Sequence, residues 1–102
     1  MTNFEARLTD VLVVEEQVDF TLASLSRACG ADHEQVRALV VEGLLVPAGD
    51  DPQAWRFDGA SLRRARTALR LSHDLELSLS GAAVVMDLMS EIERLRACLR
   101  RR

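Results

Sequence analysis

The chain has 102 residues, 48% of them hydrophobic, and a formal net charge of −3. That is enough for one domain with a real core and too little for two, and the apolar runs "VLVV", "LLV" and "AAVVM" are too short for a secretory leader or a membrane span, so a cytoplasmic protein is expected. Residues 1–54 carry ten carboxylates against three arginines, a balance of −7, whereas residues 55–102 carry six against ten, a balance of +4, and an acidic half of that size opposes approach to a polyanion.

Residues 1–18 hold a short β-branched run, Val11 to Val14, that reads as an edge strand or an N-terminal arm. Thr21 then caps a first helix through "LASLSRAC", with Leu22, Leu25 and Cys29 at helical spacing and Gly30 as its left-handed stop. Asp32 caps a second helix with Gln35 at the reciprocal capping-box position, and Gly43 closes it. Two short helices joined by a glycine-containing turn form a helix-turn-helix. "PAGDDP" separates two short runs, Leu44 to Val46 and Trp55 to Phe57, which predicts a two-stranded wing with Asp50 and Asp51 at its tip.

Asp58 caps a third helix through "GASLRRARTALRLSHDLEL", with Leu62, Ala65 and Leu69 as its inward stripe and Arg63, Arg64, Arg66 and Arg70 around the rest. "LSLSG" breaks it. Ser80 starts a last helix on which Val85, Leu88, Ile92, Leu95 and Leu99 alternate at three and four residues, a short heptad seam. That seam serves either a homodimer or packing against the third helix. Arg100 to Arg102 suit the negative end of its dipole. The expected organisation is an arm over 1–18 and a single mainly α domain over 19–102, with helix-turn-helix and wing in 19–57 and a helical half in 58–102.

Catalytic and metal patterns are missing. His73 beside Asp74 suggests an acid-base pair, but adjacent helical positions point apart and no nucleophile motif accompanies them, so an enzyme is not expected. Cys29 and Cys98 are too distant in sequence for CxxC, and His33 and His73 cannot complete a four-ligand zinc set. Two reduced, partly buried thiols and no cofactor are expected.

The second helix, "HEQVRALVVEG", lies where a helix-turn-helix protein presents its reading helix. At about 100° per residue, Val36, Leu39 and Val40 share the inward face, while Glu34, Ala38, Val41 and Glu42 fall outward with Arg37 at the border. A DNA reader draws on Arg, Lys, Asn and Gln for base edges, and carboxylates near phosphate cost Coulomb energy. Glu34, Glu42, Asp50 and Asp51 would all meet phosphate, which points to a protein-facing patch made of Glu34, Arg37, Ala38, Val41, Glu42, Asp50 and Asp51.

"DFTLASLSRACGADHEQVRALVVEGLLVP", a wing ending "WRFD" and a long helix resemble the DNA-binding head of MerR-like regulators over residues 19 to 75. "FDGASLRRARTALRLSHDLELSLSGAAVVMDLMSEIERLR" resembles the C-terminal half of the CbpM chaperone-modulator family, notably Arg70-Leu71, His73-Asp74-Leu75, Gly81 and Leu88-Met89 followed by Glu91-Ile92. Together the resemblance covers residues 19 to 99 and leaves out residues 1–18. It implies a MerR-like winged helix-turn-helix with a C-terminal dimerising helix, and a protein that binds and inhibits the J-domain of a CbpA- or DnaJ-like co-chaperone by masking its basic Hsp70-binding helix. It also implies a homodimer, for which the seam Val85, Leu88, Ile92, Leu95 and Leu99 offers a physical reason. Little specific DNA binding is expected. The competing readings are a MerR-like transcriptional regulator clamping phosphate through Arg56 and the third-helix arginines, and a purely structural dimerisation module.

Overall fold

The computed structural model describes residues 19–101. Among the described residues there are four helices, α1 (Leu22–Cys29), α2 (His33–Val41), α3 (Gly59–Asp74) and α4 (Leu79–Arg100), with a short 3-10 turn over Pro52–Ala54. Each helix begins at a side-chain cap. Thr21 accepts from the Ser24 N–H while Ser24 reciprocates, and Asp32 and Gln35 do the same for α2. Asp58 accepts from the Ser61 N–H and Ser78 from the Gly81 N–H. Such caps are worth about 1 kcal/mol apiece. The start of α4 therefore lies at Leu79 with Ser78 as cap, and not at the expected Ser80.

The first three helices end in one device. Beyond α1 the Gly30 N–H returns to Arg27 O and the Ala31 N–H to Ser26 O; beyond α2 the Gly43 N–H returns to Val40 O and the Leu44 N–H to Leu39 O. Gly30 and Gly43 supply the positive φ, 69° and 79°, that this closure requires. After α3 the Glu76 N–H returns to His73 O and the Leu77 N–H to Ser72 O, with Glu76 itself at φ 53°. Without a glycine to mark the end, the sequence suggested a helix running on through Leu77. It stops at Asp74.

Leu25, Val36, Leu39, Leu45, Phe57 and Leu62 are the largest fully buried side chains. Leu22 and Cys29 pack partly against this core from α1, and Val40 and Leu69 from α2 and α3. Ala65 and Ala68 of α3 and Ala82 of α4 are fully buried, and their small side chains let those two helices approach closely.

The expected wing is corrected in its pairing. Leu44 and Leu45 are core residues, so Leu44 to Val46 is not a strand, and among the described residues no strand forms at all. A single antiparallel bridge joins Ala48 to Arg56 across the loop, while Phe57 pairs with Phe20. The physical reason is the tight turn at Gly43, which drops the next two leucines onto α2 before the chain can run out along a partner. The run Val11 to Val14 lies outside the described residues.

Candidate functional site

The outward side of α2 is built by the same periodicity that buries Val36 and Leu39. Glu34, Arg37 and Glu42 are exposed and Val41 is 81% exposed, whereas Ala38 is half-buried. The Arg37 guanidinium lies 3.6 Å from the Glu34 carboxylate, a solvent-facing i,i+3 pair worth at most about 0.5 kcal/mol. Glu42 is more constrained: its Oε1 accepts from the Ser80 hydroxyl at 3.0 Å. That bond joins the C-terminal end of α2 to the first turn of α4, whose N-terminal dipole end favours a carboxylate.

A residue missed in the sequence completes this end of the surface. Val46, taken there for a strand position, is 84% exposed, and Gly43, Leu44, Val46, Asp58 and Ala60 line one shallow hollow. Asp19, Val46, Ala48, Arg56 and Asp58 line another. The available signal was Pro47, which holds the residue before it extended just after two leucines have gone into the core. At the expected wing tip both Asp50 and Asp51 are exposed, and Asp51 caps the 3-10 turn by accepting from the Gln53 N–H at 3.0 Å.

The arginines of α3 divide. Arg64 Nε donates to the Leu44 carbonyl at 2.9 Å, and Arg66 Nη2 donates to the Ala28 carbonyl in the last turn of α1 at 3.1 Å. Arg66 thereby satisfies a backbone oxygen that the end of α1 leaves over, and Arg64 one in the connection that follows α2. Arg56 and Arg70 are exposed.

On α4 two apolar faces lie back to back. Leu79, Ala82, Ala83 and Met86 turn toward α3, with Met86 8% exposed, while Leu88, Ile92, Leu95 and Leu99 are between 49% and 66% exposed and Val85 is half-buried at the edge. At about 100° per residue the second set lies well round the helix from the first. Intramolecular packing against α3 is thus ruled out as the use of Leu88 to Leu99. Beside this face run the ion pairs Arg94–Glu91 at 2.7 Å and Arg100–Glu93 at 3.2 Å; the hydrogen bond from Arg94 holds the Glu91 carboxyl below its ordinary value.

His73 Nδ1 lies 3.1 Å from Asp74 Oδ1, so these neighbours do meet, contrary to the expectation from helical direction. They sit on the last two residues of α3, where both short side chains can lean sideways into solvent. Cys29 is half-buried, and burial pushes its thiol above the ordinary value while the Arg66 charge opposes this more weakly; Cys98, expected to be partly buried, is exposed. Among the described residues no group of three or more His, Cys, Asp or Glu is placed to hold a metal ion, and no helix is long and apolar enough to cross a membrane.

Residues 20–101 match the family described as MerR HTH family regulatory protein. A chaperone modulatory protein CbpM of Coxiella burnetii is 33% identical over 89 residues, which cover 87% of this chain and 84% of that protein. Proteins of the same name from Pseudomonas putida and Salmonella arizonae are 30% and 34% identical over 80 and 79 residues, covering 78% of this chain each time and 79% and 78% of the relatives.

Proposed function

The chain belongs to the CbpM chaperone-modulator family, with a MerR-type helix-turn-helix domain, and on that premise we propose that it binds the J-domain of a CbpA- or DnaJ-like co-chaperone and inhibits it. A chaperone-modulating role follows from the family. The masking mechanism is our reading: acids on α2 meet the basic helix through which a J-domain engages Hsp70, and the apolar residues between them supply affinity. The observation that carries it is the outward face of α2, where Glu34 and Glu42 flank an almost fully exposed Val41. Arg37, Ala38, Asp50 and Asp51 complete the patch, and Val46 extends its apolar part. No chemistry is required of such an inhibitor.

The same reading makes the protein a homodimer. A soluble helix that leaves four large aliphatic residues in a row facing water is usually covered, and Leu88, Ile92, Leu95 and Leu99 match the spacing of a second copy's seam.

Calorimetric titration with the J-domain co-chaperones of the source organism, at low and moderate salt, tests the partner. Binding that weakens with salt is expected, and no binding to any of them overturns the proposal. The helix-turn-helix match favours a second reading, a DNA-binding regulator. Against it stand the carboxylates on the reading helix and the engagement of Arg64 and Arg66 with backbone carbonyls. Gel shifts at physiological salt separate the two, since an operator-type complex with nanomolar affinity would favour the regulator.

A further inference from the structure

Val46 is the most exposed large hydrophobic side chain among the described residues, at 84%, and two hollows meet beside it. One, of about 220 Å³, takes in Gly43, Leu44, Ala60 and Arg64; the other, of about 240 Å³, takes in Asp19, Ala48, Arg56 and Phe57. Val46 and Asp58 line both. Asp19 and Asp58 lie outside the patch assigned above to α2 and the loop tip.

Backbone pairing holds this place in shape. Ala48 and Arg56 exchange both hydrogen bonds, at 2.9 and 3.0 Å, and Phe20 and Phe57 exchange both at 2.8 Å, which ties the short segments bearing Val46, Asp58 and Asp19 together. One Asp58 carboxylate oxygen accepts from the Ser61 N–H at 2.8 Å as the cap of α3, which fixes the group and leaves its other oxygen for a further donor. Among the described residues neither Asp58 nor Asp19 forms an ion pair, and Arg56 forms none with them. Two carboxylates against one guanidinium leave the second hollow negative.

We propose that these hollows take two side chains of the co-chaperone's basic helix, an apolar one beside Leu44 and Ala60 and an arginine or lysine at Asp19 and Asp58, with Val46 packed between the two. The inference rests on the J-domain reading and gives that contact its centre. Leu44, Val46 and Ala60 make the first hollow apolar enough for one aliphatic side chain, and the carboxylates of the second select a cation. An arginine or lysine can lay its methylene stem along Val46 while its head reaches a carboxylate. A helix carries such an apolar and basic pair three or four residues apart on one face. An acidic segment would meet like charge at Asp19 and Asp58, so the same arrangement rejects it. Because the pairing sets the surface before a partner arrives, docking spends little on ordering it.

Calorimetric titration of the full-length protein with the J-domain co-chaperones of the source organism provides the test. Asp58→Asn keeps the cap, since asparagine caps a helix as well as aspartate does, and removes the charge. It should weaken binding about five- to tenfold and flatten its salt dependence, with the thermal midpoint unchanged. Asp19→Asn should act in the same direction. Val46→Ser should weaken binding about tenfold and leave the salt dependence as it was. Unchanged binding by Asp58→Asn or by Val46→Ser, beside an original chain that binds, overturns this inference alone and leaves the J-domain reading standing. An original chain that binds no J-domain co-chaperone overturns both.

Discussion

The Glu42 carboxylate accepts a hydrogen bond from the Ser80 hydroxyl across 38 residues of chain, at the point where the reading helix ends and the last helix begins. It gives Glu42 a structural task besides the negative charge on which the proposed J-domain contact depends. Two substitutions separate the roles. Glu42→Gln keeps an acceptor for Ser80 and removes the charge, so the fold should stay within about 0.5 kcal/mol of the original while co-chaperone binding weakens. Ser80→Ala should do the reverse, costing about 0.5–1 kcal/mol of stability with binding little changed. Denaturant melts beside calorimetric titrations of both variants check this.

Charge reversal probes the patch as a whole. Glu34→Arg with Glu42→Arg should leave a folded protein by circular dichroism and weaken J-domain binding by several kcal/mol, since attractive pairs become like-charge contacts. A folded double variant that inhibits as well as the original would move the partner surface elsewhere, with the loop acids Asp50 and Asp51 as the next candidates.

The outer face of α4 predicts self-association. The original chain should sediment as a dimer, and Ile92→Asp, which places a charge at the middle of the seam, should yield a folded monomer. A monomeric original, or a dimer indifferent to the substitution, would refute the seam as the interface.

Glu76 holds a left-handed conformation, φ 53°, at the position where Gly30 and Gly43 close the first two helices. A residue bearing a Cβ pays about 1–2 kcal/mol there, offset in part by the greater freedom glycine has when unfolded. Glu76→Gly should therefore stabilise the domain by about 0.5–1 kcal/mol, read as a shift of the urea midpoint at constant slope.

The two thiols should be distinguishable by reactivity. Burial disfavours the Cys29 thiolate, and the weaker pull of Arg66 does not reverse this, so at mildly alkaline pH iodoacetamide should modify exposed Cys98 well before Cys29. The sign carries over to stability. With its folded value raised, Cys29 keeps its proton in the native state over a range where the unfolded chain releases it, so its contribution is complete below the ordinary thiol value and is lost as pH rises through the folded one. Mass spectrometry of alkylated protein over a pH series checks the order of modification.

What the sequence determined by itself are the features whose cause lies within one or two helical turns. Thr21, Asp32 and Asp58 cap their helices because an N-cap oxygen meets an N–H three residues on, and Gly30 and Gly43 close two of them because only the local φ matters. By the same logic, the spacing of Glu34, Val41 and Glu42 placed them outward on α2 and that of Leu88, Ile92, Leu95 and Leu99 on one face of α4. The tertiary structure decided whatever depends on a partner far along the chain. "LLV" reads as a strand until Leu44 and Leu45 meet the core and leave Val46 in solvent. Arg64 and Arg66 read as phosphate clamps until the carbonyls of Leu44 and Ala28, 20 and 38 residues away, come within reach. A periodic pattern shows that a face is apolar or charged, but which neighbour it meets is set by how the helices cross.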